Sequence, residues 1–263
     1  MYKYPMKRTI FFLLALAFSA LAGQAQSNAD LPDAPQPVAK QTEAPVALHT
    51  VPRDLWEDQR AIWTAPLHAS DRAMFAGIAL IAVAGVAGSE DTPIMQKHFL
   101  DPQTNRHANT ASNGLVGLMV AVPVALYGVG RIRQDTRATQ TGIVAGEAIA
   151  DSFAINELMK IITRRERPTV DNAQGHFFQS GTSWNSSFPS THSTIAWSSA
   201  TVLATASRSR WIKIAAYGVA TGVSVSRVAG RDHFPSDVVV GSALGWAVGR
   251  CVSHRHHLQN TLW

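Results

Sequence analysis

Six apolar stretches, at 72–88, 114–130, 142–162, 194–206, 211–225 and 236–252, alternate with short polar joints along most of the chain. They are 13 to 21 residues long, rich in Ala and Gly, and lack two-residue alternation. Length and pattern together predict helices rather than strands. The expected architecture is all-α, a bundle of about six helices. A 17-residue helix is about 25 Å long against about 30 Å of bilayer hydrocarbon. The pattern therefore fits both a membrane-associated and a soluble bundle.

The first 70 residues read differently. Lys3, Lys7 and Arg8 precede an unbroken apolar run, 10–18, and the small-x-small triplet Ala20, Leu21, Ala22. This is the pattern of an export signal, expected over 1–25. From 26 to 70, prolines 32, 35, 37, 45, 52 and 66 stand too close together for long helices, which predicts a Pro/Gln-rich linker. One short amphipathic helix is expected inside it, near 54–64. Asp54 is its expected N-cap and Glu57 completes a capping box. Leu55 and Trp56 recur as Ile62 and Trp63, giving it an apolar face. Two roles fit such a helix, an interfacial anchor and a flap packed on the main domain, and the flap is the stronger reading.

Composition narrows the class. Of 263 residues, 46% are apolar and only 16% are charged, below the quarter typical of soluble domains. A dominant disordered state is excluded. The single cysteine, Cys251, excludes an intrachain disulfide framework. The formal charge of +5 favours anionic partners, but no basic run is interleaved with aromatics, so nucleic acid is not among them.

Three polar clusters interrupt the apolar pattern. Lys160 and Arg167, followed by Pro168, are seven residues apart, nearly two helical turns, so two cations can converge on one anion. Pro189, Ser190, Thr191 and His192 stand directly before an apolar helix, where free N–H groups favour anions. Ser226 and Arg227 precede His233 and Asp237, a spacing that lets a carboxylate bond one ring nitrogen and leave the other free as a nucleophile.

In this order and spacing, Lys-x6-Arg-Pro, Pro-Ser-x-His and Ser-Arg-x5-His-x3-Asp resemble the signature of the type 2 phosphatidic acid phosphatase superfamily. That superfamily also contains class A bacterial acid phosphatases and vanadium-dependent haloperoxidases. The resemblance covers 71–253, with a polar tail at 254–263. Thr191 stands where the family usually has Gly, which puts substrate size and rate in doubt more than mechanism.

The resemblance implies a metal-independent, cofactor-free phosphatase. His233 would be the nucleophile, Asp237 would orient its ring, and His192 would protonate the leaving group. Lys160, Arg167, Ser190, Thr191 and Arg227 would hold the phosphate, with Pro168, Pro189 and Ser226 shaping the motifs. The substrate would be a phosphomonoester or diphosphate, of lipid type where the bundle meets a membrane. The rivals are a haloperoxidase, in which the same residues bind vanadate, and a non-catalytic phosphate- or lipid-binding protein.

Family members with six spans face the active site outward. Six spans after a cleaved signal would instead turn the motifs inward, so an exported bundle, periplasmic or membrane-associated, is expected. His254, His256 and His257 are read as solvated tail rather than metal ligands. Glu147 and Asp151, one turn apart, are expected to face water or a cation from another helix.

Overall fold

The computed structural model describes residues 47–65, 71–181, 185–256 and 258. The expected signal peptide, most of the linker and most of the tail lie outside them. Seven α-helices and no β-strand are present among the described residues: α1 (Val51–Thr64), α2 (Asp71–Lys97), α3 (Pro102–Arg133), α4 (Thr136–Thr163), α5 (Thr191–Ala206), α6 (Arg210–Ala229) and α7 (Pro235–Arg255). Helices α2 to α7 are the six expected, each longer than its apolar run. Polar first turns capped by Asp101 and Asp135 extend α3 and α4, each carboxylate accepting two backbone N–H groups.

Helix α1 starts earlier than expected. Thr50 is its N-cap, Pro52 occupies its first turn, and Asp54 lies inside that turn rather than at the cap. Its buried side is also not the aromatic one. Trp56 and Trp63 are exposed, while Asp58 is buried and Ile62 packs against the core of α4, α5 and α7. Of the two roles considered, the packed flap describes this contact.

Small residues set the central packing. A Cβ added at Gly241, Gly245 or Gly249 of α7 would come within 2.8, 2.1 and 2.6 Å of the α5 carbonyl oxygens of Ser190, Thr194 and Ser198. Only glycine allows this approach, and it brings the N-terminus of α5 against the first turn of α7. A second apolar cluster joins α3, α5 and α6 through Met119, Ala196, Ala200, Ala220 and Val223. Pro123 within α3 has no N–H for the carbonyl of Met119, and Ser199 Oγ on α5 donates to that oxygen at 2.7 Å.

Candidate active site

The three motifs meet at one end of the bundle, where α4 and α6 finish and α5 and α7 begin. Backbone hydrogen bonds knit them together. Ser187 N–H donates to the carbonyl of Arg165 at 2.9 Å, Ser190 N–H to that of Asp237 at 3.1 Å, and His233 N–H to that of Arg227 at 3.3 Å. Lys160 lies buried in the last turn of α4, its Nζ 3.4 Å from Glu157 Oε1. Arg227, in the last turn of α6, pairs through Nη2 with Asp232 Oδ2 at 2.6 Å, and Arg167 Nη1 donates to the Asp232 carbonyl at 3.1 Å. Asp232 thus holds both guanidinium groups.

Ser190 is the N-cap of α5, its Oγ accepting from Ser193 N–H. The Thr191 hydroxyl donates to Asn156 Oδ1 on α4 at 2.8 Å, which ties its side chain to the neighbouring helix. His192 Nε2 is 3.0 Å from Asn113 Oδ1 of α3. The motif prolines and Ser226 serve the backbone. The carbonyl of Pro168 accepts from Arg231 Nη2 at 3.1 Å, that of Pro189 from Asn156 Nδ2 at 3.4 Å, and that of Ser226 from Gly230 N–H at 2.8 Å.

His233 is buried immediately before α7. Its orienting contact differs from the expected one: Nδ1 lies 2.6 Å from the carbonyl oxygen of Ser187, and 3.7 Å from Asp237 Oδ2. The reason is local. Helix α7 begins at Pro235, so the His233–Asp237 spacing is not a full helical turn. Asp237, at the third helical position, accepts the Phe234 N–H at 2.8 Å. A carbonyl only accepts, so Nδ1 must carry the proton and Nε2 keeps its lone pair.

Electrostatics follow from burial among cations. Burial, with the positive charges of Arg227, Arg167 and Lys160, holds His233 well below its ordinary value. Burial and the charges of Arg227, His233, Lys160 and Arg167 push His192 down to about 3. Both rings are neutral at pH 7 before an anion arrives. Burial lifts Asp237 to about 6 against the pull of Arg165.

Arg165 and Asp91 were not singled out from sequence. Arg165 Nη1 donates to Asp237 Oδ1 at 2.6 Å and to Ser236 Oγ at 2.7 Å, and Nη2 donates to Asp91 Oδ2 of α2 at 2.7 Å. Its guanidinium lies 4.2 Å from the Phe234 ring centroid and 4.9 Å from that of Phe177. Ser236 also donates to Asp91, through both N–H and Oγ. Arg165 sits inside the first motif, but that motif's spacing picks out Arg167, and nothing separates Arg165 from its neighbour Arg164. Asp91 has no local signal at all.

A second polar cluster lies away from this pocket. Of the two surroundings expected for Glu147 and Asp151 of α4, the second holds: both are buried and face cations at the end of α7, Arg255 and His256, and His256, expected as solvated tail, lies 3.3 Å from Glu147 Oε2. Burial lifts both carboxyls to about 7, opposed by His256 at Glu147 and by Gln59 at Asp151. Burial pulls His256 down, but Asp58 and Glu147 outweigh it and hold the imidazole above its ordinary value.

The family model described as PAP2 superfamily matches residues 141–260. Over 77 residues the chain is 40% identical to the lipid A 1-phosphatase of Porphyromonas gingivalis, a stretch covering 28% of this chain and 17% of that relative. The chain thus spans about a sixth of the length of the curated relative it matches. A similar solved structure is the transmembrane PAP2-type phosphatidylglycerolphosphate phosphatase of Bacillus subtilis. It is 18% identical with a TM-score of 0.46, covering 79% of this chain and 96% of that one.

Proposed function

From the match of residues 141–260 to the PAP2 superfamily model, we propose that the protein is a PAP2-type, metal-independent phosphatase that hydrolyses a lipid phosphate or diphosphate through a phosphohistidine. The observation that carries this reading is His233, with Nδ1–H given to the Ser187 carbonyl and Nε2 unprotonated beside three cationic side chains.

In the proposed reaction Lys160, Arg167 and Arg227 take the non-bridging oxygens, and the N–H groups at the start of α5 add donors. His233 Nε2 attacks phosphorus as the bond to the leaving oxygen breaks. A phosphate dianion among these cations offsets the charges that keep His192 neutral, so substrate binding raises its proton affinity. The imidazolium then passes its proton to the leaving oxygen. In the second half, neutral His192 takes a proton from water while the water oxygen displaces Nε2 and phosphate departs. Asp237, fixed by Arg165, lies near enough to stabilise the positive ring of the intermediate.

The lipid assignment rests on the surface. Helix α3 is long and apolar enough to cross a membrane by length and composition. Val124 and Ile132 of α3 and Trp211 and Ile214 of α6, two helices packed on one another, are exposed. We place this flank against lipid and the pocket on the outer side of an exported protein. The relative's name, a lipid A phosphatase, is of the same substrate class.

Hydrolysis of a chromogenic phosphomonoester by the full chain in detergent, with EDTA present, tests the activity. A radiolabelled protein adduct that is acid-labile and alkali-stable tests the intermediate. Vanadate-dependent bromide oxidation in place of hydrolysis would identify the haloperoxidase, and phosphate binding without turnover the binding protein. A panel of phosphatidate, isoprenoid diphosphate and soluble esters tests the substrate class. Retention in membranes after carbonate extraction tests the lipid contact.

A further inference from the structure

The cluster formed by Asp58 of α1, Glu147 of α4 and His256, just past α7, has the composition and spacing of a cation site. Asp58 is fully buried and Glu147 is 2% exposed. Three carboxyl groups, Asp58, Glu147 and Asp151, lie near Arg255, whose Nε is 2.6 Å from Asp58 Oδ1. Asp151 Oδ1 accepts from Gln59 Nε2 at 2.9 Å. Beyond the ion pairs with Arg255 and His256, no hydrogen bond of good geometry from the described residues reaches either oxygen of Asp58 or Glu147, or Oδ2 of Asp151. Buried carboxylates left this way cost several kcal/mol unless a positive charge is shared among them.

The distances select the charge. His256 Nε2 lies 3.3 Å from Glu147 Oε2 and 3.6 Å from Asp58 Oδ2. One ligand atom from each of the three residues lies within 4.8 Å of the others. Four ligands at about 2.0–2.1 Å around a tetrahedral ion stand about 3.4 Å apart. Two of the three edges therefore already have the length that such an ion imposes. The third separates two carboxylates, which repel one another until a cation lies between them. An imidazolium at His256 can give its Nε2 proton to only one of them. A divalent ion serves both, and the imidazole nitrogen selects a borderline metal over Mg²⁺ or Ca²⁺.

The geometry points to a structural Zn²⁺ site formed by Asp58, Glu147 and His256, with water as the fourth ligand, clipping α1 and the turn after α7 onto α4. Glu147 and Lys160 are 13 residues apart on one helix, about 20 Å along its axis. The ion therefore holds the bundle and takes no part in phosphate chemistry.

The test uses the full chain in detergent, stripped with EDTA and titrated with Zn²⁺ by calorimetry. One ion per chain is expected, with a rise in Tm and protection of residues 47–65 from proteolysis. Affinity should fall at least tenfold in Glu147→Gln and in His256→Gln, and persist in the His254→Gln/His257→Gln double variant and in His233→Ala. Zinc K-edge absorption of the loaded wild-type protein decides the matter even where a variant fails to fold: one imidazole with oxygen ligands supports the site. Two or more imidazoles, no stoichiometric binding by the wild-type chain, or undiminished binding in both ligand variants overturns it.

Discussion

Two buried polar regions share α4 and are built on opposite principles. Near its C-terminal end, Lys160, Arg167 and Arg227 surround His233 and His192, and the positive excess is held apart by Asp232 and by hydrogen-bonded backbone. Nearer its middle, three buried carboxyl groups, Asp58, Glu147 and Asp151, crowd against Arg255 and His256, and burial lifts Glu147 and Asp151 to about 7. A phosphate would complete the first and a divalent cation the second, so each can be broken by a change that leaves the other standing.

The largest effect is expected from His233→Ala. Removing the nucleophile should lower kcat by about 10⁴-fold or more, because residues that act as one unit lose nearly everything when one is deleted. Zn²⁺ affinity should not move. If turnover survives, a different group forms the intermediate, and the pocket's difference from the acidic cluster is only one of charge.

Stability should separate the regions by sign. Arg165→Gln leaves Asp91 and Asp237 buried without their cation, and breaking a buried pair costs about 3–5 kcal/mol. Glu147→Gln takes one carboxylate from a region already rich in them. In EDTA it should leave Tm unchanged or raise it, while phosphatase kcat stays within about twofold. Denaturant unfolding of both variants checks the contrast. A comparable loss in both would mean that the acidic cluster is internally neutralised by protons.

These contrasts also explain what was legible in the sequence. The six-helix architecture and the first, second and third motifs could be read because each depends on near neighbours: apolar runs of fixed period, and cations or histidines at set spacings. The Ser187 carbonyl beneath His233 could not, because a backbone acceptor leaves no trace in residue type. Arg165 was visible only as one of three arginines between Lys160 and Pro168, and its importance comes from Asp91, 74 positions away. The acidic cluster joins positions 58, 147 and 256. With no spacing to read, Glu147 and Asp151 could face water or a cation from an unnamed helix, and His256 resembled a solvated tail. The expected apolar face of α1 is only partly the buried one, with Ile62 packed inward and Trp56 and Trp63 exposed, because its buried side is chosen by partners on α4 and α7.

The pH dependence of folding offers a smaller and more local measurement. His192 titrates near its ordinary 6.5 in the unfolded chain and near 3 in the folded one. As pH falls through this window the unfolded chain takes up a proton that the folded one refuses, so stability is lost downward from about pH 6.5. The limit for one proton is about 1.4 kcal/mol per pH unit. Subtracting the profile of His192→Asn isolates this contribution from the raised Asp237. Saturating phosphate should flatten the difference, since the bound anion restores the ring's basicity. A difference that is flat without phosphate would show that the cations of the pocket do not act on His192.

The smallest effect concerns Thr191, whose Oγ1 donates to Asn156 Oδ1 while Asn156 Nδ2 donates to Thr194 Oγ1 at 3.0 Å. Thr191→Ala should cost about 1 kcal/mol of stability, the usual value of one such bond. For a small soluble ester, kcat should change little, because the N–H at this position remains and the side chain is tied to α4. Thr191→Gly removes the same bond and also frees the space of the side chain beside the phosphate. Its KM for bulky lipid phosphates should therefore fall relative to Thr191→Ala, with kcat nearly equal in the two. If the two variants match on every substrate, Thr191 acts only as a tether between α4 and α5, and substrate size is set by residues lining the apolar flank instead.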